Sequence, residues 1–338
     1  MILYPFFGSQ DKRTGRFRLN TDSTVKLFAY IAAKSTVETC FVLPQQSQCE
    51  DELVLPSNVW MLRLPYLLDL NNLHRRLHWV PEHLMSLPER CTVMTSHDFL
   101  PYPLKCLRPD MRIISEGVDS EVAWTQTRDI FPLAWKSSDI VFCRSRRLQE
   151  QIDPFATTRL WPFAYNEDEV LQSDVKDVDV LFNARASATD YTNHKQFIAA
   201  MLGTSIRVRM TDQTNYLKDS NSVPSDWLTG PLSGVPYYEL LSRSRVVVCL
   251  TRDNYGGRAI REAVASGACP VVPHLPEYIE VFGEDWPYYV TDDLRVTVER
   301  ALERGWPDTR ERVMSTLASQ SFQSTWEMAK EDVLCGLR

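Results

Sequence analysis

A glycine-containing turn flanked by charged residues is the stretch of this sequence whose residue types best suit chemistry. An apolar run at 246–250 ends in a polar loop that contains Gly257, and a segment with apolar residues at helical spacing begins at about Arg258. Gly267 is a stop signal for that segment, so the pattern predicts a strand, a turn and a helix. The backbone N–H groups at the start of such a helix, together with its dipole, favour an anion such as phosphate.

Three charged side chains near this predicted helix start could bind a nucleotide. Arg258 and Arg261 lie beside the anion site, and Glu262, one turn into the helix, could accept hydrogen bonds from ribose hydroxyls. The alternative is a plain strand-to-helix turn whose glutamate is a solvated helix residue. Spacing alone leaves both interpretations open.

A second ionisable pair follows another predicted strand. His97 and Asp98 come just after the apolar stretch 91–95. The carboxyl end of a strand is where parallel α/β sheets bind ligands, so this pair is well placed for chemistry. The alternative is that Asp98 caps the turn before Pro101.

Basic residues cluster after two predicted strands of the first half. They are Lys12, Arg13, Arg16, Arg18, Arg144 and Arg146. They could contact the phosphates of a nucleic acid, or the first four could form a solvated loop. Residues 1–150 carry 18 basic and 17 acidic side chains and the remainder 19 and 27, so the first half is the better face for an anionic partner. Gly8 lies in the glycine loop that follows the first strand.

The composition is that of an ordinary soluble globular chain. Its 338 residues suggest two domains, and it is 44% hydrophobic and 24% charged. The net charge of −7 argues against a strongly electrostatic nucleic-acid binder. Eight scattered cysteines without a CxxC pair indicate neither a disulfide framework nor a zinc site. No apolar run approaches the roughly 18 residues of a membrane span and no signal-peptide pattern opens the chain, so the expected location is the cytoplasm.

Apolar runs separated by polar turns predict a series of alternating strands and helices. The predicted strands are 2–7, 38–44, 59–64, 91–95, 112–115, 140–143, 178–182, 206–210, 246–250 and 270–273. The predicted helices are 20–33, 237–243, a helix from 258, 294–304 and 324–335, and further helix starts are predicted at 144–147 and 191–195. A restart of the series after residue 165 predicts a second domain.

The segment EAVASGACPVV at 262–272 resembles the EAMAxGxPVV segment of nucleotide-sugar glycosyltransferases with the GT-B fold. The resemblance implies that Glu262 holds the ribose of the donor nucleotide and that the loop around Gly257 holds its diphosphate. It also implies diphosphate contacts for Arg185 and Lys195. Asn254 stands where many retaining members of the family carry another glutamate.

This resemblance implies an α/β fold with two Rossmann-like domains, whose parallel sheets face a central cleft. An acceptor-binding domain at 1–165 would precede a donor-binding domain at 166–318, and a C-terminal helix at 319–338 would return to the first domain. In such enzymes a turn before a helix holds the donor base, and Leu232 is the candidate here. Gly8 is a further candidate donor contact.

Five short stretches, in the same order, also resemble the DNA β-glucosyltransferases of T-even phages. They are 97–102, 113–118, 179–181, 228–232 and 253–255. Those enzymes transfer glucose from UDP-glucose to 5-hydroxymethylcytosine in duplex DNA after flipping the base out. The resemblance implies inversion with Asp98 as the general base, because a primary hydroxyl is a poor nucleophile until its proton is removed. Arg185, Lys195, Arg258 and the N–H groups of the glycine loop would stabilise the leaving diphosphate.

The predicted function is therefore transfer of a sugar from a UDP-glucose-like donor to 5-hydroxymethylpyrimidine bases of phage DNA, in the host cytoplasm. One alternative is a retaining GT-B enzyme that acts on an envelope glycan or lipid, in which His97 contacts the donor sugar. Others are a GT-B sugar-nucleotide epimerase and a DNA- or sugar-binding protein without turnover. No tightly bound cofactor is expected. A divalent metal is compatible with the sequence, but no ligand cluster requires it.

Overall fold

The computed structural model of the protein describes residues 2–5, 23–44, 56–64, 91–95, 100–117, 131–184, 186, 190, 192–212, 215–251, 257–291 and 293–335. The chain forms two compact units. Unit 1 consists of Met1–Pro162 and Thr325–Arg338, and unit 2 is Phe163–Ser324. Each unit contains its own parallel sheet.

Unit 1 is built on short strands that contain mainly apolar residues. The strands are β1 Ile2–Pro5, β2 Thr39–Pro44, β3 Val59–Leu64, β4 Thr92–Thr95, β5 Arg112–Gly117, β6 Ile140–Cys143 and β7 Thr158–Leu160. Within the described residues they form one seven-stranded sheet in the order β3-β2-β1-β4-β5-β6-β7, and every pairing is parallel. All residues of β4 and β6 are buried, as expected for strands that helices cover on both faces.

Helices connect parallel strands of unit 1, because the chain must return to the same edge of the sheet before the next parallel strand begins. They are α1 Ser23–Ser35, α2 Pro101–Leu107, α3 Phe131–Lys136 and α4 Arg146–Ile152. Trp161, which follows β7, packs on Phe142 of β6 with 4.7 Å between ring centroids and on Phe28 of α1 at 6.3 Å. This aromatic cluster joins a helix to the sheet.

Unit 2 repeats the arrangement with shorter strands. They are β8 Val178–Phe182, β9 Val208–Met210, β10 Ser244–Val248, β11 Cys269–Pro273 and β12 Tyr289–Val290. In the described part of the unit they form a parallel sheet in the order β12-β11-β10-β8-β9. The order reverses direction beside β8, and such a reversal is where ligands bind in open α/β sheets.

Helices also lie between the parallel strands of unit 2 in the described part of the chain. They are α5 His194–Met201, α6 Val235–Arg243, α7 Arg258–Ala265, α8 Pro276–Phe282, α9 Leu294–Arg304 and α10 Arg310–Ala318. A last helix, α11 Phe322–Leu334, begins in unit 2 and continues into the chain of unit 1. No helix in the described ranges combines the length and the apolar character that a bilayer crossing requires.

Helix α7 ends at the glycine that the sequence marks as its stop. Gly267 has a φ of 93° and its N–H bonds to the carbonyl of Val264, while the N–H of Ala268 bonds to the carbonyl of Ala263. These two bonds define a Schellman motif, in which a left-handed residue satisfies the last helical carbonyls. Only glycine adopts this conformation without a Cβ penalty.

The predicted α/β class with parallel sheets is confirmed. Strands β3, β6 and β8 and helix α9 have the predicted bounds, whereas β5 continues two residues further and β10 begins two residues earlier. Helices α2, α3, α8 and α10 and strands β7 and β12 were not predicted, because each is short or lacks a clear apolar period.

Candidate functional site

The carboxyl edge of the unit 2 sheet brings polar residues of several elements together. Because the strands are parallel, their carboxyl ends meet at one edge. Asn183 directly follows β8, Thr211 follows β9, and Thr251 follows β10 after two further residues. All three are buried. Gly257 opens α7 at the same edge, so this edge is the candidate site.

Glu262 is held at this edge between two helices. It lies on α7, which packs against α6, and it is 8% exposed. Its Oε2 accepts a hydrogen bond of 2.8 Å from the hydroxyl of Tyr237, and its Oε1 accepts one of 3.3 Å from the hydroxyl of Tyr238. The alternative of a solvated helix residue is therefore excluded. The carboxylate is buried and oriented.

The two tyrosines are neutral hydrogen-bond donors at physiological pH. Burial raises the pKa of the Tyr237 hydroxyl well above its ordinary value, and the nearby Glu262 raises it further. Burial and Glu262 also raise the pKa of Tyr238. A phenol that keeps its proton beside a carboxylate donates that proton in a hydrogen bond, which stabilises the charged form of the carboxylate.

Arg258 and Arg261, predicted to contact a phosphate, are buried in unit 2. Arg258 donates from Nε to the carbonyl of Ala164 at 2.5 Å, and its guanidinium lies 5.9 Å from the centroid of the Phe322 ring. Arg261 donates from Nε to Oε1 of Gln320 at 2.6 Å and from Nη1 to the carbonyl of Gly257 at 3.4 Å. These contacts fix the first turn of α7 within unit 2.

Lys195 follows a tightly held turn at the start of α5. The Oδ1 of Asp190 lies 2.5 Å from Nδ1 of the buried His194 and accepts a hydrogen bond of 3.3 Å from the backbone N–H of Lys195. Burial lowers the pKa of His194, while the charge of Asp190 acts in the opposite direction. Asn193, with a φ of 55°, donates to the carbonyl of Leu250 at 2.8 Å. The exposed Lys195 thus lies in the first turn of α5, and the preceding residue Asn193 attaches this helix start to the chain just after β10.

Leu232 lies in the turn that precedes α6. This turn is attached to the sheet where Thr229 donates from its backbone N–H to the carbonyl of Met210, the last residue of β9, at 3.1 Å. Gly230 in the same turn has a φ of 66°. The turn therefore starts at the carboxyl edge, and a contact of Leu232 with a donor base stays a prediction.

The basic residues predicted in the first half have different environments. The Arg144 side chain is 1% exposed, its Nη2 lies 2.6 Å from Oε1 of Glu116, and its guanidinium lies 4.5 Å from the centroid of the Trp161 ring. This burial supports a structural role for Arg144 rather than a phosphate contact. Arg146 is exposed at the first position of α4, next to the cap residue Ser145.

Eight predicted site residues lie outside the described residues. They are Gly8, Lys12, Arg13, Arg16, Arg18, His97, Asp98 and Arg185. Their roles stay predictions. In the described part of the chain, no group of three or more histidine, cysteine, aspartate or glutamate side chains could hold a metal ion.

Sequence reasoning missed the residues that orient Glu262. Tyr237 and Tyr238 stand about 25 residues before it, in a segment that reads as an ordinary amphipathic helix. No spacing rule connects a tyrosine on one helix with a glutamate on the next. Asn183 did carry a signal, because a polar residue directly after a buried parallel strand lies at the ligand-binding edge.

Comparisons with known proteins find similarity in structure and not in sequence. No family model matches the chain, and no curated protein matches it. A sucrose-phosphate synthase from Thermosynechococcus elongatus has a TM-score of 0.73 at 12% identity, with 98% of this chain and 97% of that one covered. WaaG, a glycosyltransferase involved in lipopolysaccharide biosynthesis, has a TM-score of 0.69 at 12% identity, with 99% and 100% covered.

A third similar structure is an α-glucosyltransferase in complex with UDP-glucose and DNA containing an abasic site. Its TM-score is 0.59 at 13% identity, and the match covers 100% of this chain and 99% of that chain. Identities this low carry no residue-by-residue correspondence. The structural similarity, which extends over nearly the whole chain, establishes that the chain has the fold of GT-B glycosyltransferases.

Proposed function

We propose that the protein is a glycosyltransferase that takes a hexose from a nucleotide-sugar and that unit 2 binds this donor. The observation that carries the proposal is the buried, oriented carboxylate of Glu262 at the carboxyl edge of a parallel sheet, on the helix that Gly257 opens. Ribose hydroxyls are donors and need such a fixed acceptor. The shared fold supports the same class of reaction.

The donor would lie across the residues that unit 2 gathers at this edge. Glu262 would accept hydrogen bonds from the ribose, and the N–H groups at the start of α7 would bind the diphosphate, which the helix dipole also favours. The charge of Lys195 would stabilise the diphosphate as it leaves, together with Arg185. Backbone groups around Leu232 would contact the base.

The proposed acceptor is a 5-hydroxymethylpyrimidine base in DNA. A structure of an α-glucosyltransferase in complex with UDP and a 13-mer DNA containing an HMU base is also similar to this chain, with a TM-score of 0.56. The basic stretch at 12–18 and the exposed Arg146 would contact the DNA phosphates. Arg144 is omitted from this set because it is buried against Glu116.

The stereochemical outcome depends on the pair His97 and Asp98. In an inverting transfer, Asp98 would take the proton of the acceptor hydroxyl during attack from the face opposite the leaving group. The similar DNA-bound enzyme is named an α-glucosyltransferase. An α-glucoside made from an α-linked donor is the product of retention, so that name supports the alternative in which His97 contacts the donor sugar.

A saccharide of the cell envelope is the second candidate acceptor. The similarity to WaaG, which is involved in lipopolysaccharide biosynthesis, favours it, because the TM-score of 0.69 exceeds the 0.59 of the DNA-bound enzyme. The donor site would be the same for both acceptors. Only the role of unit 1 would differ.

Intact-mass analysis tests the proposal. Hydroxymethylated and unmodified DNA oligonucleotides are incubated with the protein and a panel of nucleotide-sugars. The expected result is a gain of one hexose that is confined to hydroxymethylated DNA. Loss of this gain in Asp98→Ala would support Asp98 as the general base, and its persistence would support the retaining alternative. Donor consumption without any gain on DNA would contradict the DNA acceptor and favour the saccharide. An unchanged donor pool with no bound nucleotide would contradict the transferase proposal.

The anomeric configuration of the glucosylated base, read from the proton coupling constant of the sugar, distinguishes the two mechanisms. A β-linked product from an α-linked donor would support Asp98 as general base. An α-linked product would support retention.

A further inference from the structure

A directed chain of hydrogen bonds ends at the carboxylate of Glu262. Asn183 donates from Nδ2 to the carbonyl of Ala259 at 3.0 Å and to the hydroxyl of Tyr237 at 2.9 Å, and its Oδ1 accepts from Oγ1 of Thr211 at 3.2 Å. A carbonyl only accepts hydrogen bonds, so the amide nitrogen must face Ala259. The orientation of the Asn183 amide is thereby fixed.

The direction of the next bond follows from that orientation. Because the hydroxyl of Tyr237 accepts from Asn183, its single hydrogen is directed to Oε2 of Glu262, 2.8 Å away. Chains of hydrogen bonds polarise one another, and a bond to a charged acceptor is stronger than one between neutral groups. Tyr237 is therefore a committed donor to Glu262.

The hydroxyl of Tyr238, unlike that of Tyr237, lies near two carboxylates. Its hydroxyl lies 3.3 Å from Oε1 of Glu262 and 3.1 Å from Oε2 of Glu169, which belongs to the short 3-10 segment Glu167–Glu169. A hydroxyl has one hydrogen to donate, so two carboxylates compete for it. Tyr238 is consequently a weaker and divided partner of Glu262.

We propose that Tyr237, supported by Asn183 and assisted by Tyr238, is a positioning residue that fixes Glu262 for recognition of the ribose hydroxyls of the donor. This inference rests on the proposed donor site. It identifies a specificity determinant, because a carboxylate whose orientation is fixed by hydroxyl donors presents its remaining lone pairs to the hydroxyls of a ribonucleotide in one direction. An unlocked carboxylate could turn and lose that selectivity.

Tyr237→Phe removes only the hydroxyl, and its matched control is Tyr288→Phe. Tyr288 is also a buried tyrosine of unit 2, and its hydroxyl donates to the carbonyl of Gly305 at 2.7 Å, in a contact that does not involve Glu262. Tyr238→Phe and Glu262→Gln complete the set. Thermal unfolding of each variant reports whether the fold is kept.

The measurement is calorimetric titration of the full chain with UDP and with 2′,3′-dideoxy-UDP, with the corresponding ADP and GDP pairs in parallel. The dideoxy compound lacks both ribose hydroxyls, so the ratio of the two affinities measures ribose recognition. A merely structural role for Tyr237 would lower both affinities together and leave the ratio unchanged.

We expect the wild type to prefer UDP about tenfold or more, and Tyr237→Phe to lose about tenfold in UDP affinity while dideoxy-UDP affinity stays the same. Tyr238→Phe should show a smaller loss, and Tyr288→Phe none. Equal losses for both ligands, or an unchanged ratio in Tyr237→Phe, would overturn the inference.

The Glu262→Gln variant distinguishes a wrong positioning role for Tyr237 from a wrong assignment of the donor site. If Glu262→Gln abolishes the preference for the ribonucleotide while Tyr237→Phe preserves it, the donor site stands and the positioning role is overturned. If the wild type binds none of the nucleoside diphosphates, both proposals are overturned.

Discussion

Glu116 in unit 1 and Glu262 in unit 2 are both buried, but different kinds of partner hold them. Glu116 in β5 pairs with the guanidinium of Arg144 at 2.6 Å, and both side chains are at most 5% exposed. Glu262 in α7 accepts hydrogen bonds from the hydroxyls of Tyr237 and Tyr238. A guanidinium cancels the charge of its partner, whereas a neutral hydroxyl orients a carboxylate and leaves its charge in place.

The difference between Glu116 and Glu262 indicates which of the two buried carboxylates is suited to bind a ligand. A buried ion pair satisfies its own charges, and breaking it destabilises the protein without any ligand being involved. A carboxylate that neutral donors hold at the ligand-binding edge of a parallel sheet is suited to accept further hydrogen bonds from a ligand. We therefore expect substitutions at the first site to change stability and those at the second to change binding.

The largest expected effect is on the stability of unit 1. Arg144→Ala leaves the buried Glu116 charge without its guanidinium, which should lower the free energy of unfolding by about 3–5 kcal/mol. The exposed neighbour Arg146 supplies the control, since Arg146→Ala should change it by less than about 0.5 kcal/mol. Urea denaturation measures both. A loss below about 1 kcal/mol for Arg144→Ala would mean that the ion pair does not hold this part of the unit.

The double variant Arg144→Met, Glu116→Leu tests whether the uncompensated charge of Glu116 causes the loss of stability. Replacing both charges by apolar groups removes the uncompensated ion, so most of the stability lost in Arg144→Ala should return. A double variant as unstable as Arg144→Ala would show that Arg144 acts mainly through its contacts with Trp161, including the hydrogen bond from Nη1 to the Trp161 carbonyl at 3.1 Å, rather than through its pairing with Glu116.

A smaller effect is expected at Asn183, which supports Tyr237. Asn183→Ala removes the donor to the carbonyl of Ala259, and an unsatisfied buried polar group costs about 1–3 kcal/mol. UDP affinity should fall as well, because Tyr237 loses the bond that directs its hydrogen to Glu262. Denaturation and calorimetry on the same preparation check the two parts. Lost stability with unchanged UDP affinity would separate Asn183 from the donor site.

The smallest expected effect is a pH dependence of the free energy of unfolding, which arises from Tyr237 and Tyr238 beside Glu262. Burial raises the pKa of Tyr237 and Tyr238 in the folded chain. Above about pH 10 the unfolded chain loses phenolic protons that the folded chain keeps. The contribution of these tyrosines to the free energy of unfolding is therefore fully present below that pH and falls as the pH rises. The decline should be less steep in Tyr237→Phe, by up to about 1.4 kcal/mol per pH unit.

Denaturation midpoints between pH 8.5 and 11 would show this change in slope. Tyr278 also has a pKa raised by burial, so a residual decline should remain in the variant. An identical slope in the wild type and in Tyr237→Phe would contradict the assignment of Tyr237 as a proton-retaining donor.

The sequence predicted the elements whose signal is local. Apolar-rich runs between polar segments mark β3, β6 and β8, which is why these strands have the predicted bounds. Gly267 ended α7 because its left-handed conformation favours glycine. Glu262 was identified from a local motif and from its place one turn into a helix. Each of these features depends on neighbours within a few residues.

What the sequence did not predict depends on contacts between distant residues. The partners of Glu262 lie on another helix, and the pairing of Arg144 with Glu116 joins residues on either side of α3. Arg144 and Arg146 stand two positions apart and look alike in the sequence, yet one is buried and the other exposed. Only packing decides between a structural arginine and a surface one.

Calorimetric titration of UDP, with ADP and GDP in parallel, into the wild type and Glu262→Gln tests the central claim most directly. The account predicts that the wild type binds one of these nucleoside diphosphates and that Glu262→Gln binds it at least about tenfold more weakly at an unchanged unfolding temperature. Equal affinity in the two proteins, or no binding by the wild type, would contradict the assignment of this edge of unit 2 as a donor site.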